Sequence, residues 1–207
     1  DQVGFDFAPS VQSVIVNDVL LTDSDVGVGV FTVEMQFDKT MDTGVTPSLS
    51  FAPAQQGTLT NGSGNWSTTT HTDDTYTVTY DVTDQGVEVA DVALDVTGAK
   101  DAAGNLQGDY MPEAEFSVDT LNPTLTSITR QSPATSPTNA DTLVFRVTFD
   151  ETVAMVGLGD FTVTGTTATV TGTLPVNGTQ YDVTVSGGDL AGLNGTVGLN
   201  LAAGQNI

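Results

Sequence analysis

The chain has no cysteine, one histidine, one tryptophan and four Lys and Arg residues among 207. Without cysteine, disulfides are excluded as staples, so another device must stiffen any extended assembly. The four cations face 26 acidic residues, for a formal net charge of −22. Phosphate binding needs clustered Lys and Arg, so nucleic acid is excluded as a partner and anionic membrane is disfavoured. Strong helix formers are scarce, and no apolar run approaches membrane-spanning length or reads as a signal peptide. Direct membrane insertion by this segment is therefore not expected. The single His71 lies in the polar run Thr68-Thr69-Thr70-His71-Thr72-Asp73-Asp74, without the nucleophile and oxyanion hole that a Ser-His-Asp site needs. It reads as a solvated loop residue, and the chain reads as no enzyme.

What is present is Thr, Val, Gly, Asp and Ser in short alternating runs, which predicts an all-β chain. The organising stretch is Val118-Asp119-Thr120-Leu121-Asn122-Pro123-Thr124-Leu125. It reads as the end of one β-sandwich and the start of the next, because proline cannot serve a central strand. A second copy stands at the amino terminus, with Asp6 for Asp119 and Pro9 for Pro123. The expected division is a tail strand of a preceding repeat at 1–8, a first domain at 9–121 and a second at 122–207.

In the first domain, strands are expected at Val11–Val16, Val28–Phe37, Pro47–Ala52, Gly57–Thr60, Thr75–Val82, Val89–Thr97 and Ala114–Val118. Seven short strands with frequent turns fit an immunoglobulin-like sandwich. In the second, they are expected at Leu125–Arg130, Thr142–Phe149, Phe161–Thr164, Ala168–Thr171, Tyr181–Val185 and Gly195–Leu201. Asn177-Gly178 and Asn194-Gly195 read as tight turns, and most Asn-Gly pairs read better as turns than as glycosylation sites. The expected fold is two tandem Ig-like sandwiches, the second lacking its last strand within this chain. A sandwich without that strand exposes a sheet edge, which invites strand addition. Either the strand follows in a longer parent chain, the reading preferred here, or a neighbouring molecule supplies it; the Val3-to-Ala8 segment occupies the equivalent place in the repeat, so head-to-tail copies of the chain are one possible partner.

Phe37-Asp38-Lys39-Thr40-Met41-Asp42, Tyr76-Thr77-Val78-Thr79-Tyr80 and Gly98-Ala99-Lys100-Asp101-Ala102-Ala103-Gly104-Asn105 resemble the bacterial Ig-like tandem repeats of large surface adhesins, the extender domains of RTX and biofilm-associated type. In the second half, Val147-Thr148-Phe149-Asp150-Glu151 and Leu199-Asn200-Leu201-Ala202-Ala203-Gly204 resemble another subtype of these repeats. The Gly-Gly-x-Gly-x-Asp nonapeptides of RTX regions are not repeated; Ser186-Gly187-Gly188-Asp189 is a lone turn. The resemblance implies an extracellular location on a bacterial cell surface, neighbouring Ig-like repeats as partners, a spacer role and calcium at domain junctions.

Ig topology sorts the acids by pole. Asp23, Asp25, Asp84 and Asp119 fall at the carboxy pole of the first domain, with Asn122, Asp150 and Glu151 expected to face them across the junction. Asp6, Asp38, Asp42, Asp101 and Asn105 gather at the amino pole. Oxygen donors from several loops suit Ca2+, which takes six to eight of them. Asp and Asn also populate turns by bonding nearby backbone, and that reading stands beside the first. Two further functions are weighed: a surface filament polymerised by β-strand donation, and a carbohydrate-binding module using Trp66, Tyr76, Tyr80 and Tyr110. An intramolecular isopeptide would draw on Lys39 or Lys100, but the second domain has no lysine to share the device.

Overall fold

A computed structural model of the protein describes residues 6–204 and residue 207. The chain divides into two compact units, Asp1–Leu121 and Asn122–Ile207. Both are all-β sandwiches.

Unit 1 comprises β1 (Val11–Val16), β2 (Leu20–Thr22), β3 (Gly27–Phe37), β4 (Ser48–Ala52), β5 (Leu59–Ser67), β6 (Thr75–Val82), β7 (Glu88–Thr97) and β8 (Glu113–Asp119). One sheet runs β1-β3-β6-β5 and the other β2-β8-β7-β4. Side chains alternate across a strand, so the alternate apolar residues of β3 fall on one face. Phe31, Val33, Met35 and Phe37 are accordingly buried, opposite Val92, Leu94 and Val96 of β7. β8 closes the second sheet. It pairs in parallel with β2, Leu21 against Val118, and antiparallel with β7, Val92 against Phe116. The Phe116 ring lies 4.9 Å from that of Phe31 and 5.9 Å from that of Phe51.

Unit 2 comprises β9 (Leu125–Ser132), β10 (Thr142–Phe149), β11 (Phe161–Thr164), β12 (Thr169–Asn177), β13 (Gln180–Ser186) and β14 (Gly198–Leu201). Its larger sheet runs β12-β13-β10-β9, and its second sheet holds only β11 and β14. Leu143, Phe145, Val147 and Phe149 of β10 form the central stripe of its core, with Val183 and Val185 of β13. Among the described residues no strand follows β14.

Most expected strands lie within a few residues of those observed, and three departures have physical reasons. β2 escapes a periodicity reading because it is three residues long and exists by pairing with β8. The Asn61-Gly62 pair does not turn the chain; β5 continues through it to Ser67 with a break in register between Thr60 and Ser63. Asn61 there takes φ +53°, and Cβ atoms at Gly62 and Gly64 would stand 2.5 and 2.3 Å from the rings of Tyr80 and Tyr76. These glycines admit aromatic rings, a reason for glycine inside a strand. Asn194-Gly195 likewise joins no hairpin but sits on the connection into β14, whereas Asn177-Gly178 does join β12 to β13. β12 also runs through Pro175, tolerable because it is an edge strand.

The packing of Phe116 yields a stability prediction. Phe116→Ala removes a ring held between both sheets and should cost unit 1 about 3–5 kcal/mol. Urea unfolding of the variant checks this, and an unchanged midpoint would contradict the placement of β8.

Candidate functional sites at the two acidic poles of unit 1

At the amino pole, the structure brings Asp6, Asp101 and Asn105 together around a cation the chain supplies itself. Lys39 Nζ lies 2.9 Å from Asp6 Oδ1 and 3.4 Å from Asp101 Oδ2. It also donates to the carbonyl of Phe7. Asn105 Nδ2 bridges the same carboxylates, at 2.8 Å from Asp6 and 3.0 Å from Asp101. Asp101 is buried, which by itself pushes its pKa up. Hydrogen bonds from the Asn105 side chain and amide, from Lys39 and from the Ala103 amide outweigh burial and hold it below the usual carboxylate range. The remaining two acids of this pole have other work. Asp42 Oδ1 accepts from the Gly44 amide, and Asp38 binds Ser10. With an ammonium among its carboxylates, this pole does not fit a calcium ion.

Asp38 has a counterpart in unit 2. Ser10 donates its amide to Asp38 Oδ1 at 2.9 Å and its hydroxyl to Oδ2 at 2.9 Å, while the Asp38 amide returns a bond to the Ser10 carbonyl. Thr124 and Asp150 repeat every element of this clamp, at 2.7 and 2.6 Å, with the same returning amide. The hydroxyl residue in each case follows a proline, Pro9 or Pro123. The Thr124 hydroxyl and amide hold the Asp150 carboxyl below its ordinary pKa. Both oxygens of Asp38 and of Asp150 are thus committed to tying the incoming chain to the end of β3 or β10. Glu151 is half-buried immediately after Asp150, and Asn122 is exposed in the connection before β9.

The carboxy pole of unit 1 differs. Parallel pairing sets Thr22 beside Asp119, so the next residue, Asp23, approaches the end of β8. Burial first, then the charges of Asp84 and Asp119, push the Asp23 carboxyl up. Three of the expected residues therefore share one repulsive field. Among the described residues, Lys39 and Arg146 make the ion pairs, and neither pairs with these acids. Asp25 is drawn instead into capping, its Oδ2 accepting from the amide and hydroxyl of Thr22, both at 2.8 Å. As arranged, no group of three or more His, Asp or Glu side chains is gathered to metal-binding distance among the described residues. The donors fit calcium in kind, and loop closure around an ion is what the fit requires.

Trp66, Tyr76, Tyr80 and Tyr110 pack against the core of unit 1, and among the described residues they form no open platform. Trp66 lies against Phe37 and Tyr76, at 5.7 and 4.9 Å between ring centroids, and Tyr80 against Phe51 at 5.9 Å. Tyr110 packs on the same core. His71 has an exposed side chain, and its amide donates to Asp74.

Asp74 is the residue that sequence reasoning missed. It is fully buried before β6 and accepts from the amides of Thr69, Thr70 and His71 and from the Thr69 hydroxyl, at 2.7–2.9 Å. Burial alone pushes its pKa up, but those amides reverse the direction and hold the carboxyl far below the usual range. A folded-state pKa below the unfolded value stabilises the fold above about pH 4, and that contribution fades as pH falls further. Asp74→Ala orphans several buried donors and should cost on the order of 3 kcal/mol at neutral pH. The cost should shrink at pH 2, where the parent has lost part of the same contribution. Urea unfolding at both pH values checks this, and an equal cost at both would contradict it.

Compared with protein-family models and with curated proteins, the chain matches none.

Proposed function

We propose that this chain is a two-repeat segment of an extracellular array of Ig-like sandwiches on a bacterial surface, acting as a spacer and adhesion module. It carries no catalytic step. The observation that carries this reading is the repeated clamp, Pro9-Ser10 on Asp38 and Pro123-Thr124 on Asp150. Two modules that begin with one bonding pattern after one proline are what a tandem array is made of. The sheet orders support the Ig-like reading, since β9, β10, β13 and β12 follow one another in unit 2 as β1, β3, β6 and β5 do in unit 1. The acids support a structural role, because Asp38, Asp74, Asp101 and Asp150 spend their oxygens on the chain's own donors.

Calcium belongs, in this reading, to the carboxy pole of unit 1, with Asp23, Asp84 and Asp119 as its carboxylates. Burial first, and then the charges of Asp84 and Asp119, make ionising Asp23 unfavourable and raise its carboxyl. Without metal, stability therefore declines as pH rises through the titration of Asp23. A divalent cation reverses that sign. Saturating the site a hundredfold above Kd would add about 2.7 kcal/mol of stability by mass action.

Thermal unfolding in calcium and in chelator tests the proposal. Calcium should raise the Tm of unit 1 in the parent chain and have little effect in Asp23→Asn/Asp84→Asn. The same Tm in calcium and chelator would overturn the calcium assignment.

A further inference from the structure

Three Asn-Gly pairs, Asn61-Gly62, Asn177-Gly178 and Asn194-Gly195, are each followed by Ser or Thr. Their local chemistry is therefore nearly the same. A glycine after asparagine has no Cβ to keep the asparagine side chain from folding onto the next peptide nitrogen. That nitrogen can attack the side-chain carbonyl carbon. The new C–N bond closes a succinimide ring, and the side-chain nitrogen leaves as ammonia. Water then opens the ring at one carbonyl or the other, giving aspartate or isoaspartate. In sum, asparagine and water become an acid and ammonia, and nothing is oxidised or reduced. The fold decides which asparagine reaches the geometry of attack.

Two of the three are held away from it. Asn61 lies inside β5 in the left-handed region, at φ +53°, and its Nδ2 donates to Asp81 Oδ2 at 2.7 Å. The Tyr80 ring lies over Gly62, the residue that would have to attack. Asn177 ends β12 at the hairpin. Its Oδ1 accepts from the Thr179 amide at 3.0 Å and hydroxyl at 3.1 Å, and its Nδ2 donates to Gln180 Oε1 at 3.3 Å. The Gly178 carbonyl accepts from the Val153 amide at 3.0 Å, which fixes the attacking residue as well.

Asn194 is held by none of these devices. It is exposed on the connection between the single helical turn Leu190–Gly192 and β14. Among the described residues its side chain makes no hydrogen bond, and neither does the Gly195 amide. Gly195 is uncrowded too, since the nearest atom to a Cβ built there is Leu193 Cδ1 at 3.7 Å. A connection with so few bonds opens locally at little cost in free energy.

We propose that Asn194 is a deamidation site of the folded chain, and that the fold shields Asn61 and Asn177 from the same reaction. The product adds one negative charge to a formal net charge of −22. Isoaspartate also routes the main chain through the former side-chain methylene, lengthening the connection into β14 by one carbon. The change is one-way, so it accumulates as the chain ages. It requires neither calcium nor a neighbouring repeat.

Peptide mapping by mass spectrometry, after incubation of the intact chain in heavy-oxygen water at mildly alkaline pH, measures each site separately. In the folded chain Asn194 should deamidate at least about tenfold faster than Asn61 or Asn177, a difference of about 1.4 kcal/mol in barrier. In unfolding concentrations of urea the three rates should converge. Gly195→Ala should remove the advantage of Asn194 and leave the unfolding midpoint of unit 2 nearly unchanged, because a Cβ there meets only ordinary contacts. Equal rates at the three sites of the folded chain would overturn the proposal. So would an advantage of Asn194 that persists undiminished in urea, since sequence and not fold would then be its cause.

Discussion

The structure depends on completing backbone pairing in the second sheet of each sandwich. Strand edges present rows of unsatisfied N–H and C=O groups, and an edge beside an open core is doubly costly. In unit 1 a single strand resolves both. β8 bonds to β2 on one side and β7 on the other, and sends Phe116 and Val118 into the core. The short β2 has a partner only because β8 is there. In unit 2 the larger sheet repeats its counterpart strand for strand, while the smaller holds β11 and β14 among the described residues.

A second constraint is charge. With 26 acids against four cations, carboxylates cannot in general be paired with side-chain cations. The fold uses backbone amides and hydroxyls instead. Asp74 collects three loop amides, Asp101 is held by Asn105, Ala103 and Lys39, and the two clamps tie Asp38 and Asp150 to the entering strands. Such charge-assisted bonds are stronger than neutral ones and order the loops that contain them. The bidentate pair of Arg146 and Asp182, both bonds 2.9 Å, is the cross-strand exception. Asp84 accepts the Gly86 amide at 2.8 Å, while Asp23 is raised by burial and by the charges of Asp84 and Asp119, which is why the proposed calcium is assigned to their pole.

Much of the fold was legible because alternation is a local signal. β3, β6, β10 and β13 announce themselves by apolar residues at every second position, and Pro9 and Pro123 mark where each sandwich begins. β2 was not legible, since a three-residue strand held by a partner about a hundred positions away leaves no local trace. β5 was hidden by its glycines, whose purpose appears only when Tyr76 and Tyr80 are seen lying over them. At the candidate sites, sequence located Asp6, Asp38, Asp101 and Asn105 at one pole but not the division of labour among them. That division is decided by where Lys39 and Ser10 arrive in space. Asp74 lay in a threonine-rich loop indistinguishable from a solvated one.

The central claim is that β8 completes the second sheet of unit 1 by bonding to both β2 and β7. Hydrogen exchange of the intact chain measures it directly. The account predicts strong protection of the β7 and β8 amides that bond across their pair. Rapid exchange of those amides under native conditions would contradict the account.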